Sequence, residues 1–169
     1  MTSAEDRTGR LLEPDVLRGT LHAALRTGGD FAEVFVEDRR STSALFDDGR
    51  VEELTGGRSR GAGIRVVVGE TTGFAHTADL SPEGLRGAAE AASAAARGGG
   101  GGDRTVDLGD QVGPASGPVA VLPSDVPKAR KVALLEEADR VARGEHDAIR
   151  QVSARYADSR RRIQVANSD

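Results

Sequence analysis

Cysteine is absent from the 169-residue sequence, which excludes disulfides, thiol nucleophiles and thiolate metal sites. Tryptophan is absent as well, and the aromatic residues are four Phe and one Tyr, so a core has to come from Val, Leu, Ile and Ala. Hydrophobic residues make up 37% of the chain, below the roughly 45–50% usual for a globular protein, and a thin core is expected. No apolar run approaches the about 20 residues needed to cross a bilayer. Met1–Arg10 is polar and charged, without the apolar segment of a secretory signal. A soluble, cytoplasmic protein with no membrane partner is the expectation. An excess of basic charge is also missing. Residues 1–97 carry 12 basic and 16 acidic residues and residues 98–169 carry 11 of each, for a net charge of −4; nucleic acid is not an expected partner. Arginine outnumbers lysine 21 to 2, a bias that reads as GC-rich codon usage.

What is present is an ordered series of elements. Residues 1–12 read as a disordered tail. Pro14 suits a first helical turn, and Leu17, Leu21, Ala24 and Leu25 fall on one face of a helix running to Thr27. Gly28-Gly29 would stop it. Phe31–Glu37 then alternates, with Ala32, Val34 and Val36 on one side. Further strands are expected at Ser41–Phe46, Arg50–Leu54, Gly61–Val68 and Thr71–His76, with turns at Asp47-Asp48-Gly49 and Gly69-Glu70. Short connections make neighbouring strands antiparallel, hence a meander. Ser81-Pro82-Glu83 opens a second helix with Leu80 and Leu85 as a hydrophobic staple, extending to Arg97.

Residues 98–123 hold five consecutive glycines and three prolines and read as a loosely packed linker. A third helix is expected from Pro127, with Val132, Leu135, Ala138 and Val141 as its apolar face and Gly144 as its cap. Ile149–Tyr156 and Arg162–Val165 read as a closing hairpin that turns at Asp158-Ser159. The fold class is α+β: an antiparallel meander with helices packed on one face, plus a carboxy-terminal helix and hairpin. The domain scheme is a tail (1–12), a helix-sheet-helix body (13–97), a linker (98–123) and a helix with hairpin (124–169).

The chemistry-bearing residues are scattered. His22, His76 and His146 have no metal-ligand spacing and read as surface or boundary histidines. The pairs Asp47-Asp48, Glu52-Glu53 and Glu136-Glu137 read as solvated charge, since neighbours on a strand point to opposite faces. The glycines of Gly56–Gly63 resemble a phosphate loop, but a phosphate loop needs a following helix; a turn or bulge between strands accounts for them better. Ser41, Ser43 and Ser59 lack a base and a G-x-S-x-G context. Arg160-Arg161-Arg162 reads as a solvated hairpin tip. No catalytic, cofactor-binding or metal-ligating residue is assigned.

Three stretches carry a family resemblance: Asp30–Leu54, with an acidic strand leading to a D-D-G turn; Arg60–Leu85, with a G-x-G-x-R strand, a G-x-x-x-G hairpin turn and an S-x-x-x-L helix start; and Gln151–Asp169. In this order they resemble the amino-terminal domain of TldD/PmbA proteins. The resemblance implies a two-domain zinc metallopeptidase that degrades unfolded or modified peptides. Its zinc is held by an H-E-x-x-x-H helix and a cysteine of a carboxy-terminal domain expected to be missing here. It also implies assembly as a homodimer, or as a heterodimer with a metal-free paralogue, that encloses unfolded peptide. The chain is therefore expected to bind and assemble but not to catalyse alone. The alternatives are a free-standing binding or assembly module, and the amino-terminal domain of the metal-free PmbA-like paralogue.

Overall fold

The structure is a computed structural model that describes residues 10–96, 108–111 and 119–169. Most of the tail and most of the glycine-rich linker read from the sequence lie outside the described residues. Helix α1 spans Pro14–Leu25, followed by strands β1 (Phe31–Asp47), β2 (Arg50–Val68) and β3 (Thr71–Thr77). Helix α2 spans Pro82–Ala95, a single 3-10 turn Pro123–Asp125, helix α3 Lys128–Glu145, and strand β4 Ser153–Asn167. The four strands form one antiparallel sheet in the order β3-β2-β1-β4. The fold is α+β as expected, and its first three strands are a meander.

By contact the chain divides into two units. The first lies within Met1–Asp38, Arg60–Pro114 and Arg162–Asp169, the second within Arg39–Ser59 and Ala115–Arg161. In the first, the alternating apolar residues Ala32, Val34 and Val36 of β1 and Ala62, Ile64 and Val66 of β2 are almost fully buried. They meet Leu17, Leu21 and Leu25 of α1 and Leu85, Ala89 and Ala92 of α2 in one cluster. Burying each large aliphatic side chain contributes about 1.5–3 kcal/mol. The Ser81 hydroxyl caps α2 by accepting from the Gly84 N–H at 3.1 Å, and Leu80 packs against the same cluster as Leu85. Gly73 is where β3 and α2 touch: a Cβ there would stand 2.0 Å from the Ala92 carbonyl oxygen and 2.4 Å from the Ala96 nitrogen.

In the second unit, β1 and β2 turn at Asp48 (φ 46°) and Gly49 (φ 85°), the left-handed pair that a two-residue hairpin requires. Its buried apolar cluster is small: Ala44, Phe46 and Leu135, with Ala154 and Tyr156 packed against it.

Six expectations change. The separate short strands at 31–37 and 41–46 are one strand, and so are those at 50–54 and 61–68. Neither a turn nor a bulge is needed at Gly56–Gly63: the glycines continue β2, because ladder bonds to a neighbouring strand hold residues of low strand propensity. The closing hairpin is the single strand β4, whose burial alternates at every residue through Asp158-Ser159 and Arg160-Arg161-Arg162. Helix α1 ends at Leu25 rather than Thr27. Finally, α3 buries Lys131, Leu135 and Asp139, while Leu134 and Val141 stay about half exposed. A polar partner on the sheet selects this face over the apolar one. Gly144 lies within α3, and His146 is its C-cap.

Candidate functional site

The second unit holds the features that distinguish this sheet. β3 pairs with β2 only over Ala62–Val68. Among the described residues, no strand lies beside Arg50–Gly61 on that side. Every side chain from Arg50 to Arg60 is exposed. A sheet edge of this kind offers main-chain donors and acceptors to an incoming extended chain.

An open groove of about 470 Å³ adjoins this edge, lined among others by Ser41, Ser43, Thr55, Gly57 and Ser159. The Ser43 and Thr55 hydroxyls hydrogen-bond at 3.0 Å. Small hydroxylated side chains on three adjacent strands leave the backbone accessible and offer no preference for an apolar side chain. Among the described residues no histidine lines the groove.

A buried ion pair sits under α3. The Lys131 ammonium donates to Asp158 Oδ2 at 2.6 Å, with the two side chains only 3% and 13% exposed. It also reaches Thr42 Oγ1 at 3.4 Å and lies 5.6 Å from the centre of the Tyr156 ring, a cation–π distance. Burial pushes the Asp158 carboxyl up. Hydrogen bonds from Lys131, Tyr156 and Thr42 outweigh it and hold the group below the ordinary aspartate value. The Tyr156 hydroxyl is raised, first by its bond to Asp158. A second polar tie closes the other end of α3. Arg143 Nε donates to both Asp139 oxygens at 3.0 Å, and its terminal nitrogen donates to Asp48 Oδ1 at 2.7 Å, fixing the hairpin turn.

The histidines considered as ligands do not form a site. His22, His76 and His146 are all exposed, and His146 Nδ1 accepts from the Ala148 N–H at 3.0 Å. Among the described residues no group of three or more His, Cys, Asp or Glu could hold a metal ion, so the described residues do not fit a zinc site. Asp47 and Asp48 face different partners, Gln151 and Arg143. Ser41 and Ser43 come together in the groove, whereas Ser59 is exposed on β2 and does not line it. Lys131, Thr42, Tyr156 and Asp158 were missed in the sequence. One signal was available: Lys131 is one of two lysines among 21 arginines, and it repeats with Leu135 and Asp139 at helical spacing.

Two family descriptions match the chain: "PmbA/TldA metallopeptidase domain 1" over residues 32–96 and "PmbA/TldA metallopeptidase central domain" over residues 122–169. A metalloprotease TldD homolog of Haemophilus influenzae is 28% identical over 141 residues, 83% of this chain and 29% of that protein. The fold is similar to that of a protein described as a modulator of DNA gyrase from Bacteroides thetaiotaomicron, with TM-score 0.68 and 17% identity over 99% of this chain and 38% of the other. It is also similar to TldE from Thermococcus kodakarensis, with TM-score 0.66 and 17% identity over 90% and 35% of the two chains. The chain thus spans about a third of the length of the relatives it matches. Among the described residues no helix is long and apolar enough to cross a membrane.

Proposed function

The chain belongs to the PmbA/TldD metallopeptidase family, and from that membership we propose that it is the non-catalytic amino-terminal part of a cytoplasmic TldD-like zinc peptidase, serving to capture and enclose unfolded peptide. The supporting observation is the stretch Arg50–Gly61 of β2, which β3 leaves uncovered. A peptide added there as a further strand is held by main-chain hydrogen bonds, which do not depend on sequence. That suits a peptidase acting on unfolded or modified chains. The adjacent hydroxyl-lined groove accommodates side chains of varied size. Zinc and the bond-breaking step belong, on this reading, to a carboxy-terminal domain. Assembly with a second family member, identical or paralogous, completes the enclosure. Nucleic acid and membrane have no part in it.

Amide exchange with and without an unstructured peptide tests the capture step. Slowed exchange confined to Arg50–Gly61 is the expected result, together with no cleavage of the peptide by this chain. Protection elsewhere with none in this stretch sinks strand addition.

A further inference from the structure

Helix α3 turns an apolar line to solvent. Leu134, Ala138 and Val141 recur at helical spacing. All three are exposed, Leu134 by 49% and Val141 by 46%. The face buried on the sheet is instead that of Lys131, Leu135 and Asp139. Arg130 lies one turn before Leu134 and Glu145 one turn after Val141, so both extend the same line. Both are exposed, and among the described residues neither side chain has an ionic partner. Between them, Glu137 is neutralised within the helix by Arg140 Nε at 2.8 Å.

The signs of these end charges are unfavourable for an isolated helix. A helix N-terminus attracts anions and a C-terminus attracts cations. The first turn of α3 has no acidic residue and holds Lys128 and Arg130, while Glu145 is the last residue of the helix. The basic residue of the last turn, Arg143, is already engaged by Asp139 and Asp48. A second α3 laid antiparallel reverses both mismatches, because its Glu145 stands at the basic end and its Arg130 at the acidic end. One registration serves both kinds of contact: where Leu134 faces Val141 of the second copy, Arg130 faces Glu145 of the second copy. A two-fold axis between Glu137 and Ala138 then makes each contact twice. We propose that α3 is a homodimer contact, in which the line Arg130–Leu134–Ala138–Val141–Glu145 meets the same line of a second copy of this chain, antiparallel. This names a surface and a partner for the assembly step of the function proposed above, and rests on that step. The apolar side chains leave water, and the charges set the orientation. A contact through one helix is smaller than the roughly 1,200–2,000 Å² of a stable complex, so the dimer is reversible, dissociating in roughly the micromolar range.

Sedimentation equilibrium of the whole chain over a concentration series is the test. A reversible monomer–dimer equilibrium is expected. Leu134→Gln should weaken it about tenfold, and so should Arg130→Glu and Glu145→Arg taken singly, by about the same factor. Each charge reversal suits the isolated helix, so a lost dimer does not come from a melted α3, and the helical circular dichroism should be retained. Combining Arg130→Glu with Glu145→Arg restores opposite charges across the pair and should recover most of the affinity. Phe74→Gln, at an exposed apolar position on β3, should change nothing. Association that persists unchanged in all three single variants overturns the proposal and gives assembly to another surface. Failure of the double variant to recover affinity overturns the antiparallel pairing. A chain that stays monomeric throughout the series overturns the homodimer and leaves the line on α3 to a different chain, while peptide capture is decided separately by amide exchange at Arg50–Gly61.

Discussion

The two units hold their strands by different forces. The first buries Val34, Val36, Ile64 and Val66 under Leu21, Leu25 and Leu85, each almost fully enclosed. The second has, among the described residues, three buried apolar residues, Ala44, Phe46 and Leu135, and ties its helix to the sheet and its hairpin turn with Lys131–Asp158 and Arg143–Asp48. Apolar burial is insensitive to pH and to salt at moderate concentration. Ion pairs depend on protonation, and the exposed ones are screened. One chain therefore contains a part whose stability follows packing and a part whose stability follows charge.

The largest test of this contrast is Gly73→Ala. Its methyl meets the backbone of α2 at 2.0 Å, and a helix backbone cannot rotate aside as a side chain can. We expect a loss of about 4 kcal/mol, above the usual about 1–3 for overpacking, read by chemical denaturation. Ile64→Ala follows at about 3 kcal/mol, within the about 2–5 typical of a large aliphatic residue cut back in a core. A cost under about 1 kcal/mol would mean that the first unit does not rest on packing.

Lys131→Met comes next. Removing one partner leaves Asp158 without its cation. We expect about 2–3 kcal/mol, less than the about 3–5 of a fully enclosed pair, because Asp158 keeps 13% exposure. Adding Asp158→Leu to that variant should restore much of the loss; a further loss would show that the carboxylate acts through other partners. The same pair has a pH signature. The folded-state value of Asp158 is lowered, so its contribution is fully present above the ordinary aspartate value, about pH 4. It is lost as pH falls below that value and through the lowered one. Amide exchange should show α3 and Ser153–Arg161 losing protection in acid before α1 and α2 do, and simultaneous loss would remove the distinction. The smallest effect is expected from Glu52→Ala, within about 0.5 kcal/mol, because Glu52 is exposed and bonds only its neighbour Arg50 among its described contacts.

The same difference explains what the sequence revealed. The first unit was legible. Ala32, Val34 and Val36 alternate, Leu17, Leu21, Ala24 and Leu25 recur at helical spacing, and Ser81-Pro82 marks a helix start; each pattern is local, and each was found as read. The second unit was not. Asp158-Ser159 has turn composition, yet a lysine 27 positions earlier holds Asp158 in a strand. The apolar stripe Val132, Leu135, Ala138 and Val141 lost to Lys131, Leu135 and Asp139 because the sheet beneath offers Thr42 and Asp158. Polar pairing over such separations leaves no period to read. Nor does the continuity of β1 and β2, which depends on neighbours rather than on propensity. The candidate site lies in this less legible unit.

The uncovered half of β2 has a consequence for how the protein tolerates change. From Arg50 to Arg60 every residue is exposed, so few substitutions there forfeit packing. A saturation scan of these eleven positions should accept most residue types, charged or small, with little preference. Proline should be the exception at those positions whose N–H is bonded to β1, because it removes a donor and the ladder is what holds the segment. The stretch is then constrained in its main chain and permissive in its letters, and homologous chains can diverge there while keeping the same edge.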